Sequence, residues 1–160
     1  MKDVINYSWE QLNHDVDHLH RQVVESDWKP HTVVGLIRGG CIPGVMLSHK
    51  FGVPFEALHW SKRDFSNQGF GHYIEHICKH AIRNNERFLI VDDIIDSGET
   101  VADLMHYATK MASVRYWSNY IKFATLWQNS DCTVQASYWC RGISRRDDQR
   151  WIIFPWETTT

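Results

Sequence analysis

A short apolar segment of this sequence is followed by a group of acidic, hydroxyl-bearing and glycine residues. Phe88-Leu89-Ile90-Val91 precedes Asp92 and Asp93, and the turn Asp96-Ser97-Gly98-Glu99-Thr100 follows closely. Four consecutive apolar residues are too few for a helix and are typical of a strand buried on both faces. Adjacent carboxylates at the end of such a strand suit sugar hydroxyls and Mg²⁺, a cation that prefers carboxylate and phosphate oxygens.

The turn over residues 96–100 has the composition of a phosphate-binding site, because it leads into a predicted helix. Free backbone amides at a helix start, together with the positive end of the helix dipole, attract phosphate. Gly98 permits close approach of the backbone to a ligand. Alternatively, Asp96 and Ser97 only cap the helix and the two preceding aspartates are solvated. The combination of a buried strand, three aspartates and Ser-Gly-x-Thr favours the phosphate-binding interpretation.

Patterns typical of strands and helices alternate along the chain. Ser8-Trp9-Glu10-Gln11 has the form of a capping box and predicts the start of a first helix. Its apolar stripe consists of Leu12, Val16, Leu19 and Val23. Strands are predicted at 32–37, 53–60, 88–91, 120–127 and 134–139, and further helices at 43–51, 72–83 and 99–111. This alternation predicts an α/β fold with a doubly wound, mostly parallel sheet and helices on both faces.

Length and composition exclude several classes of protein. The 160 residues suit a single domain, and a content of 43% hydrophobic and 22% charged residues excludes a disordered chain. No apolar run approaches the roughly 18 residues of a membrane span and no signal-peptide core is present, so we expect a cytoplasmic protein. The net charge of −2 gives no general attraction to nucleic acid or to a membrane. The 4 cysteines lack C-x-x-C spacing and are interpreted as reduced thiols.

The segment from Phe88 to Thr100 closely resembles the phosphoribosyl-pyrophosphate (PRPP) binding motif of type I phosphoribosyltransferases. The segment from Val34 to Gly44 resembles the family's first loop, which binds pyrophosphate. Trp151-Ile152-Ile153-Phe154-Pro155-Trp156-Glu157 resembles the C-terminal purine-site segment of small bacterial xanthine–guanine and related purine phosphoribosyltransferases. The resemblance implies one phosphoribosyltransferase domain over residues 1–160, with a small hood formed by the N- and C-terminal segments.

The resemblance implies a role for each matching position in binding PRPP. Asp92 and Asp93 hold the ribose hydroxyls, with Asp93 as the contact to Mg²⁺. Arg38 and Gly39 meet the pyrophosphate, the arginine through charge-assisted hydrogen bonds. The residues that bind the 5-phosphate are Asp96, Ser97, Gly98, Glu99 and Thr100.

The resemblance also implies how the base is held. Asp96 matches the carboxylate near the purine N7, where it acts as the catalytic general base or acid. Trp151 stacks on the purine, and the backbone of Ile152 reads its 2-substituent. Gln128 stands where such enzymes usually carry a lysine that donates to the 6-oxo group. A glutamine also accepts from an amino group, so adenine stays open, and a shift of alignment toward Lys122 is an equally good explanation.

Two further segments carry expectations of their own. Residues 61–71 lack periodicity and occupy the position of the family's mobile lid, with Gly69 and Gly71 as hinges. Lys62 and Arg63 either bring positive charge over the pyrophosphate or form an ordinary solvated basic pair. The segment from Cys132 to Arg150 is interpreted as a solvated loop or a subunit contact. The alternative for its arginines is that one of them faces the nucleotide.

The resemblance therefore implies a Mg²⁺-dependent purine salvage enzyme. It transfers the 5-phosphoribosyl group from PRPP to a 6-oxopurine (guanine, xanthine or hypoxanthine) and releases pyrophosphate. The alternatives are a phosphoribosyltransferase for adenine or a pyrimidine, and a non-catalytic PRPP-binding regulator. Trp151 argues against a pyrimidine, and the lack of a basic face argues against a DNA-binding regulator. We expect PRPP and a purine as ligands, neither nucleic acid nor membrane as partner, and a homodimer or homotetramer.

Overall fold

Strands and helices alternate in the computed structural model, which describes residues 3–59, 68–112 and 117–157. The strands are β1 (Val4–Asn6), β2 (Thr32–Ile37), β3 (Phe55–His59), β4 (Phe88–Ile95), β5 (Ile121–Asn129), β6 (Tyr138–Ile143) and β7 (Trp151–Ile153). The helices are α1 (Trp9–Glu25), α2 (Cys41–Phe51), α3 (Gln68–Asn84) and α4 (Glu99–Ala112), and a 3-10 turn spans Trp117–Asn119.

The central sheet has five strands in the order β3-β2-β4-β5-β6, and every neighbouring pair is parallel. Side chains alternate between its faces, so Val33 and Leu89 join a core beneath α1 and α2. Val34 and Ile90 join a second core beneath α3 and α4. These helices on both faces of a parallel sheet confirm the predicted fold class.

A separate two-stranded parallel sheet joins the two ends of the described chain. In it β1 pairs with β7, and Val4, Ile5 and Asn6 lie opposite Trp151, Ile152 and Ile153. Ile152 is only 2% exposed, so this small sheet is anchored to the core through its middle position. It forms the hood expected from the N- and C-terminal segments.

The capping box at the start of α1 is confirmed. Ser8 Oγ accepts a hydrogen bond from Gln11 N at 3.1 Å, and Gln11 Oε1 accepts from Ser8 N at 2.9 Å. At the end of α2, Gly52 has a φ of 65°, and this left-handed conformation suits glycine at the end of a helix.

Several element boundaries differ from the sequence-based predictions. Helix α2 begins at Cys41, two residues before Pro43, and α3 begins at Gln68 rather than at residue 72. Strand β4 continues to Ile95. Its pairing with β2 ends at Val91, but its pairing with β5 extends to Ile95. Strand β6 spans 138–143 rather than 134–139, so the segment from Cys132 to Arg150 is not simply a solvated loop.

A buried ion pair joins α1 to β6. Asp15 is 2% exposed, and its carboxylate accepts from Tyr7 Oη at 2.8 Å and from Arg141 Nη2 at 3.2 Å. Burial by itself raises the pKa of Asp15, but hydrogen bonds from Arg141, Tyr7 and His14 outweigh it, so the pKa is lowered. Burial and the hydrogen bond to Asp15 raise the pKa of Tyr7.

Among the described residues, no helix is both long enough and apolar enough to span a membrane.

Candidate active site

The carboxyl ends of β2, β4 and β5 bring three loops together at one edge of the sheet, the edge at which open α/β sheets bind ligands. The first loop, residues 38–40, follows β2 and is preceded by a cis peptide bond between Ile37 and Arg38. The second contains the end of β4 and residues 96–98. The third follows Asn129, the last residue of β5, whose Nδ2 donates to Asp96 O at 3.0 Å.

The first loop packs directly against the double aspartate. A Cβ at Gly39 would lie 1.9 Å from Asp93 Oδ2, and a Cβ at Gly40 would lie 2.0 Å from Val91 O. No side chain fits at either position, so glycine is what lets the backbone after β2 approach the end of β4. The structure therefore brings Gly39 and Asp93 together, and Arg38, which precedes Gly39 in the chain, is exposed.

Asp92 and Asp93 are half-buried carboxylates next to each other in β4. Asp92 Oδ1 accepts from Asp93 N at 3.0 Å, and Asp93 Oδ1 accepts from Ile94 N at 2.8 Å. Burial and the charge of Asp93 raise the pKa of Asp92, and burial raises the pKa of Asp93 to about 6. Two carboxylates that are costly to ionise together are stabilised by a nearby cation.

This donor set fits Mg²⁺. No group of three or more His, Cys, Asp or Glu side chains suited to a metal occurs in residues 3–59, 68–112 and 117–157. Magnesium in phosphate-binding sites typically takes one or two carboxylates and completes its shell with water and phosphate oxygens. Asp93, with Asp92 beside it, provides carboxylates of that kind.

The turn between β4 and α4 has the geometry of a phosphate cradle. Gly98 has a φ of 76°, and a Cβ there would lie 2.4 Å from Cys132 Sγ. Ser97 Oγ accepts from Glu99 N at 3.4 Å, and α4 begins with Ala102 N donating to Gly98 O at 2.9 Å. The first N–H groups of a helix have no partner within it and point toward its N-terminal side. The turn therefore presents backbone donors and the positive end of α4 at the same edge as the aspartates.

Asp96 is held by an arginine that the sequence did not single out. Arg145 Nε donates to Asp96 Oδ1 at 2.9 Å, and Arg145 Nη1 donates to Arg150 O at 2.7 Å. The Asp96 side chain is 47% exposed, whereas that of Arg145 is 21% exposed. The arginine therefore links Asp96 to the backbone directly before Trp151. The only sequence signal for it was the group of arginines between Cys132 and Arg150.

The prediction that Gln128 reads the purine is wrong. Its side chain is 1% exposed, and its Nε2 donates to Asn129 O and Val134 O, each at 3.1 Å. Its Oε1 accepts from Ala136 N at 3.0 Å. This amide is fully used in fastening residues 129–136 to the end of β5, so neither its donor nor its acceptor faces a ligand.

The remaining predicted residues form three pairs. Trp151 is 63% exposed and presents its ring at the surface, while Ile152 beside it is buried. Lys62 and Arg63 lie outside the described residues. Gly69 and Gly71 fall within α3, so they are not hinges of an irregular loop, and the part of the expected lid after residue 67 is helical.

The edge of this parallel sheet combines paired carboxylates with a glycine turn at a helix start, an arrangement of an α/β protein that suits a ligand carrying phosphate and hydroxyl groups. Comparison with known proteins identifies the family. The sequence model of the phosphoribosyl transferase domain family matches residues 8–160 of this chain. The chain belongs to this family.

Individual relatives are distant but cover nearly the whole chain. The xanthine-guanine phosphoribosyltransferase of Chromohalobacter salexigens is 25% identical over 150 residues, which is 94% of this chain and 82% of the relative. The crystal structure of a purine phosphoribosyltransferase from Pyrococcus horikoshii superposes with a TM-score of 0.70 and 24% identity, covering 99% of this chain and 96% of that one. The xanthine-guanine-hypoxanthine phosphoribosyltransferase of Helicobacter pylori has a TM-score of 0.72 and 19% identity, with 98% and 95% covered.

Proposed function

We propose that this protein is a purine salvage phosphoribosyltransferase that transfers the 5-phosphoribosyl group of PRPP to a 6-oxopurine and releases pyrophosphate. The observation that carries the proposal is the contact of Gly39 with Asp93 at the edge that also holds the turn at residues 96–100. A ligand at this edge meets a backbone loop, two carboxylates and a helix start together. PRPP has a pyrophosphate, a ribose diol and a 5-phosphate in that order.

Each part of PRPP has a matching group in the proposed complex. Arg38 and the backbone of Gly39 bind the pyrophosphate, because a guanidinium and a free amide both donate to phosphate oxygens. Asp92 and Asp93 accept from the ribose hydroxyls. The 5-phosphate binds in the turn formed by Asp96, Ser97, Gly98, Glu99 and Thr100, where backbone amides and hydroxyls donate to it.

Phosphoribosyltransferases generally use Mg²⁺, and we propose that Asp93 holds it here, with Asp92 adjacent. When bound, the cation neutralises charge on the departing pyrophosphate. It also offsets the cost of keeping both carboxylates ionised in a half-buried position.

The proposed reaction breaks the bond between ribose C1 and pyrophosphate and forms a bond from C1 to N9 of the purine. Asp96 accepts the proton from N7 as N9 attacks, so the purine of the product nucleotide carries no formal positive charge. Arg38 stabilises the negative charge that grows on pyrophosphate. Trp151 orients the base by stacking, and the backbone of Ile152 meets the 2-substituent.

The preference for a purine rests on the exposed ring of Trp151 and on the relatives. The three relatives are named as a xanthine-guanine, a purine and a xanthine-guanine-hypoxanthine phosphoribosyltransferase. A purine offers Trp151 a larger flat ring to stack on than a pyrimidine does, and only the purine carries an imidazole nitrogen for Asp96.

The test is pyrophosphate release from PRPP and Mg²⁺ with guanine, hypoxanthine, xanthine, adenine or uracil. We expect release that depends on a 6-oxopurine and that falls at least about 100-fold in Asp96→Asn, since general acid–base groups typically contribute about 10²–10⁴-fold. Asp17→Asn, which removes an exposed carboxylate from α1, serves as the control and should retain activity. Binding of PRPP without release for any base would instead support a regulator.

A further inference from the structure

Arg145 lies between the two groups that face the proposed base. Its Nε contacts Asp96, and its Nη1 contacts the carbonyl of Arg150, which precedes Trp151. A planar base that stacks on Trp151 and reaches Asp96 must therefore lie beside this guanidinium. The side chain is only 21% exposed, so it is already held in place before a ligand binds.

The Arg145 guanidinium has more N–H donors than the two that its described contacts use. An arginine side chain carries five N–H donors and no acceptor. Two of them donate to Asp96 Oδ1 and Arg150 O. For the others, no acceptor is found within the part of the chain that the structure describes.

The other candidates for contacting the base at its 6-position are occupied elsewhere. Gln128 is buried and bonded to backbone, and Asn129 Nδ2 donates to Asp96 O. Lys122 Nζ donates to Tyr138 Oη at 3.0 Å and lies 5.1 Å from the centre of the Trp28 ring. Along β5, at about 3.3 Å per residue, Lys122 is about 20 Å from Gln128 and at the opposite end of the strand.

We propose that Arg145 selects a 6-oxopurine over a 6-aminopurine, an inference that rests on the proposed function and on Asp96 facing N7. A 6-oxopurine with a proton on N7 presents a donor and, next to it, the O6 acceptor. Asp96 and Arg145 present an acceptor and a donor side by side, so the two pairs are complementary. Adenine with the same proton on N7 presents two donors at these positions, and its amino group faces N–H groups that cannot accept.

The expected preference for a 6-oxopurine over adenine is large because adenine would leave the donors of Arg145 without a partner. Sites built to hydrogen-bond one substrate group reject analogues without it by large factors, because their own donors lose a partner. We expect Arg145 to contribute about 100-fold to the ratio of kcat/KM for hypoxanthine over adenine. These two bases differ in the group at the 6-position and in the proton on N1, and of these two differences the ratio tests the one that we place against Arg145.

The experiment compares Arg145→Met with Arg146→Met. Both remove a guanidinium from neighbouring positions, but the Arg146 side chain is 82% exposed and its contact is with Asp131, 3.6 Å away. Rates of pyrophosphate release with hypoxanthine and with adenine are measured for the wild type and both variants. Arg145→Met should reduce the hypoxanthine-to-adenine ratio about 100-fold, and Arg146→Met should leave it within about threefold.

Two additional measurements separate selection from a structural role. Arg145→Lys keeps a donor and should retain most of the preference, while calorimetric titration with IMP and AMP reports the same contact even if turnover is lost. Arg145→Met should weaken IMP binding far more than AMP binding. Equal losses for both bases and both nucleotides would show that Arg145 only supports the fold of the site, and would overturn the proposal.

The wild type distinguishes failure of this proposal from failure of the function itself. If the wild type releases no pyrophosphate whichever base is added, the proposed function and the role of Arg145 are both wrong. If it uses hypoxanthine but the ratio is unchanged in Arg145→Met, only the assignment of Arg145 is wrong. A wild type that prefers adenine also overturns the proposal.

Discussion

At the scale of single residues, Gly39 determines how closely the loop after β2 approaches β4. The position of its absent Cβ is 1.9 Å from Asp93 Oδ2 and 2.2 Å from Asp93 Cγ. Carbon and oxygen atoms cannot share that space, so any side chain must displace either the loop or the carboxylate. The glycine therefore sets the position of a proposed ligand of Mg²⁺ and of the backbone amide beside it.

Gly39→Ala is predicted to lower kcat/KM for PRPP about 100-fold, because a displacement of about 1 Å at a reacting group has an effect of that size. Initial rates of pyrophosphate release measure it, and circular dichroism checks that the variant folds. Gly142→Ala is the matched control, since a Cβ there meets only Trp139 Cζ3, at 3.7 Å. Wild-type activity in Gly39→Ala would contradict the proposed position of PRPP.

At the scale of elements, the contact of α1 with β6 depends on one buried carboxylate. Asp15 binds Arg141 and Tyr7, and the Arg141 guanidinium lies 5.5 Å from the centre of the Tyr7 ring and 5.8 Å from that of Trp127. Strand β6 is an edge strand paired only with β5 among the described strands. The ion pair and the aromatic rings thus fix an edge strand whose following turn contains Arg145.

Asp15→Asn is predicted to lower the free energy of unfolding at pH 7 by about 2 kcal/mol, because it leaves a partly buried Arg141 without its charged partner. Urea denaturation measures this change. Asp17→Asn, on the exposed face of the same helix, makes the same charge change and should have little effect.

The effect of Asp15→Asn also depends on pH. The folded-state pKa of Asp15 is lowered, so its stabilisation is present above the unfolded pKa, about 4, and is lost as pH falls through the folded value. The difference between wild type and Asp15→Asn should therefore shrink as pH falls below about 4. A difference that is constant with pH would show that the carboxylate charge is not what joins α1 to β6.

At the scale of the whole molecule, the site is assembled from distant parts of the chain. Gly39 follows β2, Asp93 and Asp96 come from β4 and its turn, and Arg145 lies 49 residues beyond Asp96. A ligand that contacts all of these parts binds only the folded state. Binding should therefore stabilise the molecule as a unit.

PRPP with Mg²⁺ is predicted to raise the midpoint of thermal unfolding by several degrees. At a ligand concentration of about 100 times Kd the stabilisation is about 2.7 kcal/mol. Differential scanning calorimetry measures the shift. A chelator or Asp93→Asn should remove most of it, whereas Asp17→Asn should keep it. An undiminished shift in Asp93→Asn would exclude Asp93 as the principal contact to Mg²⁺.

Much of the site was predictable from sequence because it is local. The apolar run of β4, the two aspartates and the glycine turn lie within 13 consecutive residues, and a strand–turn–helix pattern places them at the sheet edge without further information. The parallel α/β fold followed from alternating periodicities. The capping box of α1 also needed only neighbours in sequence.

The contacts of Gln128 were not predictable from the sequence. Side chains on a strand alternate between its two faces, and one residue decides whether an amide meets a ligand or the fold. Gln128 points to the backbone of Val134 and Ala136, while Asn129 points to Asp96. The partner of each side chain depends on the course of the backbone after β5. No local sequence pattern predicts that course.

The sequence by itself determined the fold class, the acidic strand end and the helix start that we propose binds phosphate, because each is encoded by residues adjacent in the chain. Only the tertiary structure decided that Arg145 binds Asp96 and that Gln128 bonds to the backbone of residues 129–136. Those contacts depend on how the turn after β6 returns to the sheet edge. That return is set by long-range packing, including the buried pair of Asp15 and Arg141, and packing between distant segments leaves no periodic signal in the sequence.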